Sequence, residues 1–213
     1  MKQTILVTAF ICCSFFSQAQ SAKYESAMKS NISQLDSLMS ENNYAELSDN
    51  FTRIGDAEKT QWLPYYYAAY CYAMDAVREP DNSKKDALAD KADAQITKAD
   101  AILGKDNSET ALIKAMIATA HMTVDPQNRY MTYGSQITDN IKKSETLDPT
   151  NPRPVLFEAE NKYYTPEAYG GGKDVAKPLL EKAQELFKNF KPESDISPNW
   201  GKSALDYFLS LYK

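Results

Sequence analysis

The chain has one histidine, His121, in the run Thr119-Ala120-His121-Met122-Thr123-Val124-Asp125. At helical spacing Asp125 lies one turn further on and shares its face. An imidazole beside a carboxylate could start a proton-transfer pair, but with no second imidazole it falls short of a metal site. His121 is therefore read as a structural or groove-lining residue. Paired carboxylates are plentiful, among them Glu158 and Glu160, Glu181 and Glu185, and Asp86, Asp90, Asp93 and Asp100. Glycosidase-type chemistry needs two that face each other, one with its pKa raised by burial. Here they alternate with lysines, and Lys84-Lys85-Asp86, Lys91, Asp93 and Lys98 read as a solvated helix face. The glycine cluster Tyr169-Gly170-Gly171-Gly172-Lys173 lacks the spacing of a phosphate loop and the preceding strand, so it reads as a connector between helices. Cys71 lies in the aromatic run 65–72 with no cation near it in sequence, which makes it a buried core thiol. No nucleophile, base and orienting group fall together, so no enzyme, catalytic residue, metal or cofactor is expected.

What positions these residues begins after a leader. Met1-Lys2 is a basic start, Ile5 to Phe16 is an apolar stretch, and Ser17-Gln18-Ala19 puts small residues where a signal peptidase cuts. The expected division is a signal peptide over 1–20 and one domain over 21–213, with the mature protein in the periplasm or secreted. Cys12 and Cys13 leave with the leader, so Cys71 has no disulfide partner within the chain. Loss of Lys2 takes the net charge from −5 to −6. An acidic chain of this kind argues against nucleic acid as a partner, and no apolar run after the leader could span a membrane.

The mature chain reads as all-α. Alanine and leucine far outnumber valine, no useful stretch alternates apolar with polar, and proline falls mostly between periodic segments. Helices are expected over Ala22–Ser40, Tyr44–Ile54, Thr60–Arg78, Lys84–Leu103, Ser108–Thr123, Ser135–Leu147, Arg153–Tyr164, Lys173–Phe190 and Asn199–Tyr212. Connectors are expected at Glu79–Ser83, Val124–Gly134 and Thr165–Gly172.

These helices recur in pairs. Leu47-x3-Phe51-x2-Ile54, Ala92-x3-Ile96-x2-Ala99, Ile137-x3-Ile141-x2-Ser144 and Ala176-x3-Leu180-x2-Ala183 share one spacing, at intervals of 45, 45 and 39 residues. Tyr66-x2-Ala69, Leu112-x2-Ala115 and Leu156-x2-Ala159 recur in the partner helices. A fixed period of this size marks a helical repeat, and the alanines let neighbouring helices approach closely. Ile137 to Asn151, with its Leu147-Asp148-Pro149-Thr150-Asn151 turn, and Ala176 to Leu186 resemble the second helix of the tetratricopeptide (TPR) family. The period is longer than that family's usual 34 residues, the surplus lying mainly in the connectors within pairs. The resemblance, to secreted Gram-negative members in particular, implies a TPR-like solenoid of about four antiparallel pairs and a C-terminal capping helix.

In that arrangement the stripe one residue past the packing stripe lines the concave face. It would carry Tyr67, Cys71 and Met74, then Ile113, Ile117 and His121, then Phe157, Asn161 and Tyr164. Such a surface is either an open groove or core covered by the terminal helices. The first expectation is a non-enzymatic scaffold that binds a protein or peptide of the cell envelope in this groove. The alternative is a periplasmic carrier of a small or lipid-like molecule held in an apolar inner cavity.

Overall fold

The computed structural model describes residues 22–35 and 44–212. Among them the chain is all-α. Helix α1 covers 22–32. It is followed by α2 (Ala45–Glu58), α3 (Trp62–Arg78), α4 (Asn82–Leu103), α5 (Ser108–Val124), α6 (Pro126–Leu147), α7 (Pro152–Tyr164), a 3-10 turn at Glu167–Tyr169, α8 (Lys173–Asn189) and α9 (Lys202–Ser210). The expected leader and the end of the first expected helix lie outside the described residues.

Packing is strongest within α3 with α4, α5 with α6 and α7 with α8, each joined by a short connector. Ala69, Ala115 and Ala159, the alanines of the repeat, are fully buried, as are Ala92, Ile96, Ala99, Ala176, Leu180 and Ala183. Two apolar cores result. The larger runs from α1 through α6 and takes in Phe157, and the smaller joins Val155, Leu156 and Ala159 to Leu180, Ala183, Leu205 and Phe208.

The expected connector Val124–Gly134 is largely helix. Asp125 alone separates α5 from α6, its carboxylate accepting the Asn128 N–H, with Pro126 in the first turn. Proline is suited to that position because its missing N–H would have no partner there. The turn at 170–172 is a true connector. Gly170 and Gly172 have φ of 77° and 105°, and a side chain on Gly171 would run into the Thr165 carbonyl.

The C-terminal segment 190–201 lies across the first helices of the pairs. Trp200 packs at a tilt on Tyr70 with ring centroids 4.5 Å apart and donates its indole N–H to the Tyr66 hydroxyl at 2.8 Å. The Ile196 carbonyl accepts the Tyr67 hydroxyl, and Asp195 pairs with Lys29 of α1. Beneath Trp200, Glu109 accepts hydrogen bonds from Tyr66, Asn151 and Arg153, the last of them 2 % exposed. A buried charge of this kind persists only when paired.

Candidate functional site

Most of the residues expected to line one concave surface lie in covered core instead of an open groove: Tyr67, Cys71, Ile113, Ile117 and Phe157 belong to the larger core. Tyr67 stacks on Phe51 at 5.0 Å and is covered by segment 190–201, which the periodicity could not reveal because the segment has none. Cys71 is a free thiol whose pKa burial raises well above its ordinary value. Met74 and Asn161 are half-buried, and Tyr164 is 70 % exposed, edge-on to Phe208 of α9.

His121 faces α4 and α6 rather than Phe157. Its Nδ1 lies 2.8 Å from Asp86, which also takes both Nη atoms of Arg129, at 2.6 and 2.8 Å. Its ring stacks on Tyr133 at 5.1 Å. Arg129 and His121 together hold the Asp86 carboxyl down to about 2, the Arg129 hydrogen bonds contributing most. Asp125 instead caps α6. Ile117 and His121 border a pocket of about 310 Å3 whose other walls include Asp90, Asp93, Lys114, Gln136 and Asn140. Among the described residues no cluster of ligating side chains could hold a metal ion.

A larger pocket, of about 640 Å3, lies between the start of α2, the end of α3 and the first half of α4. Local sequence builds it. Pro80 bars α3 from continuing, and Asp81 caps α4 by accepting the Ser83 N–H at 3.0 Å. The turn is so short that Arg78, Lys84 and Lys91 share one rim. Ala45, Pro80, Ala87 and Leu88 supply apolar wall. The start of α2 is fixed by the Tyr44 N–H, which donates to Asp75 Oδ1 at 2.9 Å. The Arg78 guanidinium rests over the Tyr44 ring, 5.3 Å from its centroid. Its Nη1 is buried and meets no acceptor among the described residues. Asp75 and Glu79 line the same pocket, and the Glu160 carboxyl also feels the guanidinium. Burial raises Asp75 despite the Tyr44 N–H, and burial pushes half-buried Glu160 up to about 7 against the pull of Arg78.

Sequence reasoning missed this site. Lys84 and Lys91 read as members of a solvated face, and Arg78 as the last residue before a connector. Lys85, grouped with them, is in fact buried and reaches Thr123. The one available signal was three cations spaced around a Glu-Pro-Asp turn, a pattern that exposed helix ends also show.

No protein-family model matches the chain, and no curated protein matches it. Among solved structures it is similar to the HusA haemophore from Porphyromonas gingivalis, at 33% sequence identity and a TM-score of 0.77. The match covers 89% of this chain and 92% of that one. That relative is a haemophore, which overturns the expectation of a scaffold whose partner is a protein or peptide of the cell envelope. With a third of its residues identical over nearly the whole length of that protein, the chain belongs to the family of the HusA haemophore.

Proposed function

We propose that this protein is an exported, non-enzymatic carrier of haem, a single TPR-like solenoid domain over residues 21–213 that holds its cargo in the pocket beneath Arg78. The observation that carries the reading is the kinship with a haemophore over 92% of that protein's chain. The small-molecule alternative drawn from the sequence is thereby favoured, though not at its expected site. Tyr67, Cys71 and Ile113 are fully buried.

The chemistry of haem favours the Arg78 pocket. Haem is a broad apolar disc with two carboxylates on one edge. It needs apolar wall for the disc and cations for that edge. The pocket of about 640 Å3 offers Ala45, Pro80, Ala87 and Leu88 for the first and Arg78, Lys84 and Lys91 for the second. Its size lies within the usual range of ligand sites. The pocket beside His121 is half as large and sets Asp90 and Asp93 against one lysine, Lys114, whereas the larger sets Asp75 and Glu79 against Arg78, Lys84 and Lys91. The leader supports export, and among the described residues no helix is long and apolar enough to cross a membrane. The stacked helix pairs and the period of their small residues support the solenoid.

Titration of the purified protein with haemin, followed by the Soret band, tests the reading. Saturable binding at a fixed stoichiometry is expected. A spectrum indistinguishable from haemin in buffer would overturn it.

A further inference from the structure

The pocket beside His121 has no part in the haem reading, and its polar groups are of the opposite kind. Asp86 is ionised, held so chiefly by Arg129, and a carboxylate only accepts hydrogen bonds. The His121 Nδ1 therefore carries the proton that bonds Asp86 at 2.8 Å, and the neutral ring keeps a lone pair on Nε2. Asp90 borders the pocket and Asp86 does not, so the Nε2 edge is the one turned toward it. Tyr133 stacks on the ring and Asp86 holds its far side, which fixes the direction of that lone pair. The side chain is 13 % exposed, so the imidazole is open to the pocket yet mostly withdrawn from bulk water.

Nε2 stands 3.7 Å from Asp90 Oδ1. Two acceptors at that distance do not bond each other, but one nitrogen bearing two N–H groups can reach both. The rest of the polar wall adds acceptors. Asp93 lies one turn beyond Asp90 on α4, and the side-chain amides of Gln136 and Asn140 face it from α6. Lys114, the lone cation on the wall, is already paired with Asp100. Among the described residues no set of carboxylates with the imidazole closes on a metal ion, so a cation bound here needs a reach of its own.

We infer that this pocket binds a short aliphatic diamine, one ammonium bridging His121 Nε2 and Asp90 and the other lying a turn further along, at Asp93 and Asn140. An ammonium is all donor, as a wall of acceptors requires, and a four-carbon spacer sets two of them about one helical turn apart. The volume of about 310 Å3 is ample for such a molecule. The site is separate from the Arg78 pocket, and the inference stands independently of the haem reading.

The test uses the only histidine of the chain as its reporter, since the ring C–H signals of His121 are then unambiguous in proton–carbon correlation spectra. Labelled protein in mildly alkaline buffer is titrated with diaminobutane, with butanediol, which has the length without the charge, and with tetramethylammonium, which has the charge without N–H groups. The diamine should shift the His121 signals saturably, with half-saturation at about 1 mM or below, and the other two should not. Asp90→Asn, at a side chain 76 % exposed, should bind the diamine about tenfold more weakly. Asp93→Asn should lose less, and Asp174→Asn on α8 should match wild type. Three results would each overturn the inference: a shift still unsaturated at about 20 mM diamine, an equal shift with either control compound, or wild-type affinity in Asp90→Asn. Circular dichroism melting confirms that each variant is folded, and Asp93→Asn carries the test should Asp90→Asn not fold.

Discussion

Replacing Glu109 by glutamine should cost this protein more than almost any other isosteric change. The Glu109 carboxylate accepts from Tyr66 at 2.8 Å, Asn151 at 2.7 Å and Arg153 Nε at 3.1 Å, with Arg153 Nη2 also in contact. Arg153 is 2 % exposed, so its charge has no water to fall back on. Removing one partner of a buried ion pair costs about 3–5 kcal/mol, because the other is left uncompensated. In a domain of this size each kcal/mol lowers the melting temperature by about 2–4 °C, so a fall of about 6–20 °C is expected. The double variant Glu109→Leu with Arg153→Met removes both charges and should lose less than Glu109→Gln alone. Urea unfolding followed by circular dichroism supplies both numbers. A loss below about 1 kcal/mol for Glu109→Gln, or a double variant worse than the single one, would refute the argument that this pair is held by mutual neutralisation.

Ala115→Glu places a charge in a close helix contact where the native side chain is fully buried, and should cost several kcal/mol, whereas Lys182→Glu on the exposed face of α8 should cost less than about 1 kcal/mol. Similar melting losses for the two would mean that the packing face is misassigned. Glu160, pushed up to about 7, keeps in the folded state a proton that the unfolded chain releases near pH 4, so stability should fall as pH rises from about 4 through 7. Glu160→Gln should remove that fall and gain on the wild type toward neutral pH; a difference between the two that stays flat with pH contradicts it. The exported protein should begin at Gln20 or Ser21, and N-terminal sequencing that finds Met1 would refute the leader.

The helices were legible where burial follows a helical period. The alanines at 69, 115 and 159 mark the helix crossings because only a small side chain fits there, and spacing alone exposes that constraint. Boundaries were legible where a cap is unambiguous, and less so at Asp125-Pro126, where one residue both ends α5 and starts α6. The inner surface was not legible. Its covering, segment 190–201, is irregular, and it is held by Trp200, Tyr66, Glu109 and Arg153, residues 134 or fewer positions apart in sequence that no local pattern joins. His121 went to the α4 side for a similar reason, since its partner Asp86 is 35 residues away, while Asp125, four residues on, caps α6. The Arg78 pocket was hidden because Arg78 and Lys84 are ordinary helix-end residues, and Lys91 an ordinary exposed lysine of α4, until the turn at Glu79-Pro80-Asp81 gathers them.

The location of the cargo is the central claim, and ferric haem can report it directly. Its paramagnetism broadens the NMR signals of nearby amides, so a titration of isotopically labelled protein with haemin maps the site residue by residue. The account predicts that Ala45, Asp75, Arg78, Ala87 and Leu88 lose intensity first, while Val175 of α8 keeps its signal. Broadening centred instead on His121 and Tyr133, or on Tyr164 and Tyr207, would contradict the placement of haem beneath Arg78.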